Sequence, residues 1–280
     1  KEKMIMLIKD YLTNEVEKII AMLDFEDFPE MHKYLASIMD EEGFVRTSSY
    51  EIASSLIKCD EPQELPGFMI DFITDLYESE IADGNADAMN DLGSQYYDGS
   101  RGFEQSIEKA VNLYQQAAEN GSRQAQENLG YCYYYGRNMD SPDYEKAFHY
   151  FALGAFDGHL ISLYKIGDMY LNGYYVSKSE KEAFVIYMRC LETMTDEVAE
   201  IVAGPVYLRL GKMFLYGIGT KKDYKHALAC YQRAEAFIYD MVAGGNVMYR
   251  KSLDAAIKGQ DKAREKLMEN LPDDEWVFDS

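Results

Sequence analysis

The stretch that decides the fold is LGSQYYDGSRGFEQSIEKAVNLYQQAAENG, residues 92–121, because its pattern occurs again further along the chain. The pattern is a Leu-Gly pair, an aromatic residue, a second glycine, a Lys-Ala pair, another aromatic residue and a closing glycine. In the second copy every counterpart lies 37 residues downstream: Leu129-Gly130, Tyr133, Gly136, Lys146-Ala147, Phe151 and Gly158. Self-similarity at a fixed period in the thirties is typical of a stacked repeat array. The sequence therefore predicts a solenoid.

Two more copies follow, and each copy predicts a pair of helices. The third copy has Ile166-Gly167, Tyr170, Gly173, Ala183 and Tyr187, and the fourth has Leu210-Gly211, Phe214, Gly217, Ala227 and Tyr231. Apolar and small residues lie three, four and seven apart, which places them on one face of a helix. In the second copy, Gly136 is expected to end the first helix in the left-handed conformation. Pro142 is expected at the start of the second helix.

A glycine recurs inside each first helix, where it costs roughly 1 kcal/mol relative to alanine. These glycines are Gly93, Gly130, Gly167 and Gly211, and the second helices carry Ala110, Ala147, Ala183 and Ala227 on the inner stripe. We expect each missing side chain to leave room for the aromatic ring of the paired helix. A leucine at Gly130 would then collide with Phe151 and cost more than roughly 2 kcal/mol.

The repeated block also carries a resemblance to a known family. The run L-G-x-x-Y/F-x-x-G, a short loop, K-A-x-x-x-Y/F-x-x-A and a closing glycine resembles the Sel-one-like repeat, of the tetratricopeptide class, over residues 86–238. This resemblance implies an all-α, right-handed α-solenoid of antiparallel helix pairs that serves as an adaptor or assembly platform. It does not imply catalysis. Glu182 and His226 depart from the usual lysine before alanine, and residues 137–139 depart from the usual loop.

The segment before the clear copies is predicted to be helical. Residues 1–46 form an N-terminal cap with helices over 1–25 and 29–42, or, alternatively, a separate effector domain. Residues 47–84 form a degenerate first repeat, in which Leu56 takes the place of the glycine. Its first helix is expected to begin at Ser48, with Glu51 completing a capping box.

The remaining boundaries follow from the period. Repeats are assigned to residues 85–121, 122–158, 159–201 and 202–240. Between the last two, seven extra residues within 195–205 predict a longer second helix or an extra helical segment, with a loop extension as the alternative. Residues 241–271 are predicted to form a C-terminal cap of two helices, 247–258 and 261–270. The acidic tail, 272–280, either docks on the array, is recognised by a partner or is disordered.

Composition narrows the class of partner and the compartment. The chain has 28 basic and 49 acidic residues, a net charge of −21, which disfavours nucleic-acid binding. This charge indicates either a solubilised surface or attraction of a basic partner. No apolar run is long enough to span a membrane, and the start does not resemble a signal peptide, although Lys1 in place of Met is consistent with removal of an upstream segment. Four cysteines without C-x-x-C spacing favour a reducing, cytoplasmic location.

Catalytic and metal-binding patterns are missing from the sequence. It contains no phosphate-binding loop of the G-x-x-x-x-G-K-[ST] kind, no H-E-x-x-H and no nucleophile elbow. His149 and His159 flank one helix end without a further ligand at suitable spacing. The sequence therefore predicts no enzyme, no metal site and no cofactor.

The predicted binding surface is the concave side lined by the first helices. Counting from each glycine, the residues expected to be exposed there are Asn90, Ser94, Tyr97, Glu127, Tyr131, Tyr134, Tyr135, Tyr164, Asp168, Asn172, Lys212 and Tyr216. Tyrosine suits recognition because it offers a large contact area and a hydroxyl group. The alternative is that many of these rings pack between neighbouring repeats. The sequence thus predicts an adaptor with a Tyr-rich groove for a peptide or protein, or an acidic, immunity-type inhibitor that covers a basic protein.

Overall fold

The computed structural model describes residues 2–59 and 64–270, with the side chains of 2–10 and 197 left out. Over these residues the chain is all-α, and its one β feature is an isolated antiparallel bridge between Met39 and Val45. The acidic tail and residues 60–63 lie outside the described residues. The helices are α1 Glu2–Met22, α2 Pro29–Ser37, α3 Ser49–Lys58, α4 Gly67–Ala82, α5 Ala86–Asp98, α6 Ile107–Glu119, α7 Arg123–Tyr135, α8 Tyr144–Phe156, α9 Leu160–Asn172, α10 Glu180–Thr193, α11 Asp196–Tyr216, α12 Tyr224–Ala243 and α13 Arg250–Glu269.

The helices belong to two compact units, residues 1–142 and 143–280. In the first unit α3 packs on α4 and α5 on α6; in the second, α9 packs on α10 and α11 on α12. Each successive helix also packs on the one before it within its unit, as α7 does on α6 and α11 on α10. These are the predicted helix pairs apart from that of the second copy, α7 and α8, which fall on different units, so their packing stays a prediction. The fold is an all-α solenoid.

The ends of the helices follow from local chemistry. Four first helices end at glycines in the left-handed conformation, with φ from 61° to 74°: Gly99, Gly136, Gly173 and Gly217. The paired helices begin at side chains that accept hydrogen bonds from the first free backbone amides: Ser106, Asp143, Ser179 and Asp223. The cap of α8 is Asp143, so Pro142 precedes this helix and does not open it as predicted.

The glycines inside the first helices lie against aromatic rings. A Cβ added to Gly93 would lie 2.9 Å from Cε1 of Tyr114, one on Gly167 would lie 2.7 Å from Cε1 of Tyr187, and one on Gly211 would lie 2.9 Å from Cδ1 of Tyr231. Real Cβ atoms do not come this close to other atoms, so these positions accept only glycine. The predicted packing is confirmed in these three copies. The corresponding pair, Gly130 and Phe151, falls on different units, and its contact stays a prediction.

The N-terminal segment contributes to the core of the first unit through α1 and α2. Val16 and Ile19 of α1 are buried beside Met31 and Leu35 of α2. Helix α2 ends at Ser37, so the predicted extension to residue 42 is wrong. The cause is local: the Asp40 carboxylate accepts hydrogen bonds from backbone amides two and four residues ahead, which favours a turn over continued helix.

Helices α3 and α4 form the pair in which the sequence predicts a degenerate repeat. The capping box at Ser48 and Glu51 is present as predicted. Leu56, at the position of the repeated glycine, is fully buried, and Tyr77 of α4 is also buried. The interpretation of this pair as a diverged repeat remains a prediction.

The seven extra residues lengthen the first helix of the fourth copy. Helix α10 ends at Thr193, so the predicted longer second helix in the third copy is wrong, whereas α11 gains about two turns at its start. Val202 and Ala203 of the added turns are buried. A Cβ on the next residue, Gly204, would lie 2.7 Å from Cγ1 of Ile238 on a long α12. The insertion therefore adds to the buried core of the second unit.

The C-terminal cap consists of one long helix. The prediction of two helices, 247–258 and 261–270, is therefore wrong. A short 3₁₀ turn, Val247–Tyr249, leads directly into α13, which continues through Gly259. This glycine is buried against the ring of Tyr231. The ring of Tyr231 thus contacts both Gly211 and Gly259. Gly259 allows this close approach of the ring and does not end α13.

Cys132, Cys190 and Cys230 are buried free thiols, and Cys59 is half-buried. Burial raises the pKa of Cys132 to about 11 and that of Cys190 to about 12, so these thiols remain protonated and poorly nucleophilic near neutral pH.

No helix within residues 2–59 and 64–270 is long and apolar enough to cross a bilayer.

Candidate protein-binding surface

Four of the twelve residues predicted to be exposed are buried. Asn90, Glu127, Tyr164 and Asp168 are each at most 6% exposed, so the prediction of an open groove is wrong at these positions. Asn90 shows the reason: its side chain accepts a hydrogen bond of 3.0 Å from Asn128 on the next first helix. Polar side chains at such positions therefore join neighbouring repeats. The alternative prediction placed many of the aromatic rings between repeats in the same way.

Asp168 of α9 is the centre of the largest such connection. Its carboxylate accepts two hydrogen bonds from the Arg209 guanidinium on α11, at 2.5 and 2.7 Å, and one of 2.6 Å from the Tyr187 hydroxyl on α10. The Arg209 guanidinium also lies over the ring of Tyr164, 5.1 Å from its centroid. Three helices of two successive repeats therefore meet at one buried carboxylate. Arg209 is not among the residues that the sequence predicts for the site.

The contact between Tyr187 and Asp168 has a counterpart in the first unit. There Tyr114, the ring against Gly93, donates its hydroxyl to Ser94 at 3.2 Å. In both copies the residue that follows the glycine accepts the hydroxyl of the packed ring. Burial, and after it the Asp168 carboxylate, raises the pKa of Tyr187 above its ordinary value, so the hydroxyl stays a donor.

The predicted residues that remain accessible gather mainly in the first unit. We define the tyrosine cluster as Tyr97 of α5, Tyr131, Tyr134 and Tyr135 of α7, and Arg137 of the following loop. Tyr131 and Tyr135 stack with their ring centroids 6.2 Å apart, and Tyr134 meets Tyr135 edge-on at 4.9 Å. Tyr135 is 51% exposed and the other three rings are half-buried. The three rings of α7 thus contact one another, and Tyr135 presents an aromatic surface to solvent.

Arg137 joins the two helices of the cluster. Its guanidinium lies 5.9 Å from the ring centroid of Tyr135 and is close enough to the hydroxyl of Tyr97 to act on the pKa of that group. Burial raises the pKa of Tyr97, and the charge of Arg137 opposes that rise. The sequence showed Arg137 only as a departure from the usual loop. A cation directly after a run of tyrosines is the signal that would have placed it on this surface.

Of the other predicted residues, Asn172, Lys212 and Tyr216 lie on the second unit and Ser94 lies on the first. Asn172 is exposed and donates to the backbone carbonyl of Asp168 at 2.7 Å. Lys212 is exposed, and Tyr216, 48% exposed, lines a cavity beside α13. Ser94 is half-buried and bonded to Tyr114. Within residues 2–59 and 64–270, no group of three or more His, Cys, Asp or Glu side chains could hold a metal ion.

Comparison with known proteins supports the architecture. Four stretches match the Sel1 repeat family model: residues 86–122, 123–159, 160–187 and 205–236. A Sel1 repeat protein from Oxalobacter formigenes is similar in structure, with a TM-score of 0.55 and 22% identity, over 79% of this chain and 84% of that one. No curated protein matches the sequence.

Two other solved structures are similar at low identity. A protective antigen present in uropathogenic Escherichia coli strains, with an SLR fold, has a TM-score of 0.54 and 23% identity over 84% of this chain. The present chain spans about half of that antigen, 47% of its length. An immunity protein from Pseudomonas aeruginosa has a TM-score of 0.41 and 17% identity, over 83% of this chain and 86% of that one. At these identities the first likeness shows a shared fold.

Proposed function

Because this chain belongs to the Sel1 repeat family, whose fold typically mediates protein–protein interaction and is generally non-catalytic, we propose that it is an adaptor that binds a peptide or protein on the tyrosine cluster. The observation that carries this proposal is the exposed ring of Tyr135, stacked on Tyr131 beside the Arg137 guanidinium. Free cysteines, which favour a reducing compartment, support a cytoplasmic site of action.

The composition of the cluster fits a binding hot spot. Tyrosine and arginine are enriched among the residues that dominate binding energy, because they offer large contact area and hydrogen-bonding groups together. The three rings of α7 already contact one another, so little side-chain freedom is lost when a partner covers them. A partner that buries Tyr135 gains apolar contact with its ring while the Arg137 guanidinium remains available to a carbonyl or carboxylate.

Paired substitutions test this proposal. We expect the variant Tyr131→Ala/Tyr135→Ala to lose at least about tenfold in affinity for a partner captured from the source organism, which is the usual effect of removing two hot-spot rings. The matched control is Tyr175→Ala/Tyr239→Ala, which removes two rings that are 58% and 60% exposed on the second unit. Calorimetric titration of the purified partner measures both. Equal affinity of the two double variants would contradict the assignment of the cluster.

The second candidate function is an acidic inhibitor that covers a basic protein, and the net charge of −21 favours it. The two functions differ in their response to salt. Attraction between large opposite charges weakens steeply as ionic strength rises, because exposed charges are screened within about 10 Å at 0.1 M salt. Contact with the tyrosine cluster is nearly indifferent to salt. The same titration, repeated at low and high ionic strength, separates the two candidates.

A further inference from the structure

A cavity of about 290 Å³ lies in the second unit, where the end of α11, the start of α12 and the face of α13 meet. Its lining combines apolar and aromatic surface with cations: Leu215, Tyr216, Lys222, Tyr224, Lys262 and Lys266. One acidic side chain, Glu265, also lines it. We call this cavity the lysine pocket. A concave site with an aromatic floor and a few polar groups is the usual form of a binding site.

The lysines of the pocket are only partly neutralised. Lys266 pairs with Glu269 at 2.5 Å, whereas the ammonium of Lys262 lies 3.5 Å from the Tyr216 hydroxyl. In the part of the chain that the structure describes, no carboxylate lies within 4.0 Å of Lys222 or Lys262. Two uncompensated cations beside an apolar floor are unusual in a chain of charge −21. They favour a ligand that brings carboxylates together with an apolar group.

Such a ligand follows α13 in the sequence of the same chain. Residues 272–280 read PDDEWVFDS and combine Asp273, Asp274 and Glu275 with the single tryptophan, Trp276. Lys262 lies seven residues before Glu269, where α13 ends, which is ~10 Å along the helix axis. Residues 270–274 span up to ~17 Å when extended, enough to run back to the pocket. The negative charge of this segment is therefore opposite to that of the pocket, and the chain before it is long enough to reach the pocket.

We propose that the lysine pocket binds this chain's own acidic segment, residues 272–280. Asp273 and Asp274 pair with Lys222 and Lys262, and the indole of Trp276 covers the apolar floor at Leu215 and Tyr216. The pocket is a binding site distinct from the tyrosine cluster, and this segment is its occupant.

The fluorescence of Trp276 tests this proposal directly in the full chain, because it is the only tryptophan. In the variant Lys222→Glu/Lys262→Glu, we expect acrylamide to quench this fluorescence about twofold more strongly than in the wild type, since the released indole meets water. Salt at about 0.5 M should move the wild type in the same direction, because it screens the ion pairs. Adding Asp273→Lys/Asp274→Lys to the variant should restore wild-type quenching.

The control carries the same change of charge elsewhere on α13. Lys251→Glu/Lys258→Glu replaces two exposed lysines away from the pocket and should leave the quenching unchanged. Circular dichroism checks that all variants keep their helices. If quenching is equal in the wild type and in Lys222→Glu/Lys262→Glu, the proposal is wrong, and the pocket is left to an acidic segment of another protein or to no ligand.

Discussion

Replacing Asp168 with alanine is expected to lower the free energy of unfolding by about 3–5 kcal/mol, as removal of one partner of a buried ion pair does. The carboxylate is 5% exposed and accepts hydrogen bonds from Arg209 and Tyr187. Without it, a guanidinium and a hydroxyl keep their burial and lose their acceptor. This single substitution therefore removes the hydrogen bonds that connect α9 with α10 and α11. Urea unfolding followed by circular dichroism measures the effect.

An exposed ion pair in the same unit provides the control. Asp261 pairs with Arg264 at 3.2 Å, but their side chains are 70% and 52% exposed, so Asp261→Ala should change stability by at most about 0.5 kcal/mol. The double variant Asp168→Ala/Arg209→Ala should lose less than the sum of its two single changes, because the second substitution removes the stranded cation. A loss for Asp168→Ala no greater than that for Asp261→Ala would show that the buried carboxylate does not hold the repeats together.

Gly167→Leu is expected to destabilise the chain by more than about 2 kcal/mol, because it overpacks a filled core. Even the Cβ atom would lie 2.7 Å from Cε1 and 3.1 Å from Cζ of Tyr187. The ring cannot yield easily: Tyr187 is fully buried and its hydroxyl is bonded to Asp168. The helix pair α9–α10 therefore has to open. The midpoint of urea unfolding reports the change.

Gly67→Leu is the matched control for this prediction. Gly67 is the exposed first residue of α4, and nothing lies within 4 Å of a Cβ built on it. The substitution should shift stability by no more than about 0.5 kcal/mol. Similar midpoints for the Gly167 and Gly67 variants would mean that the glycines of the first helices are not needed for ring packing.

The features that the sequence predicted well are those set by local chemistry and by the period. Gly136 ends α7 in the left-handed conformation, Ser48 and Glu51 form their capping box, and three glycines face the rings assigned to them. Each depends on residues a few positions apart or on the spacing within one helix pair. The repeated pattern supplies that information four times over, so the helix pairs could be located without coordinates.

The features that the sequence missed depend on contacts between helices of different repeats. Asn90 and Asp168 looked exposed when one helix was considered alone, but the next first helix covers them. The two helices predicted over 247–258 and 261–270 are one, and the contact of Gly259 with the ring of Tyr231 could not be foreseen. Arg209 was overlooked, although the 44-residue spacing places it in register with Lys165. Side-chain partners across repeats cannot be read from a period alone.

Site-specific photo-crosslinking tests the central claim, that the tyrosine cluster is the binding surface. A benzophenone amino acid is placed at Tyr135 in one variant and at Tyr239 in another, both positions being at least half exposed. After irradiation in the source cells, we predict a covalent adduct of one defined mass with the variant at Tyr135 and none with that at Tyr239. Adducts that form equally at both positions, or only at Tyr239, would contradict the assignment.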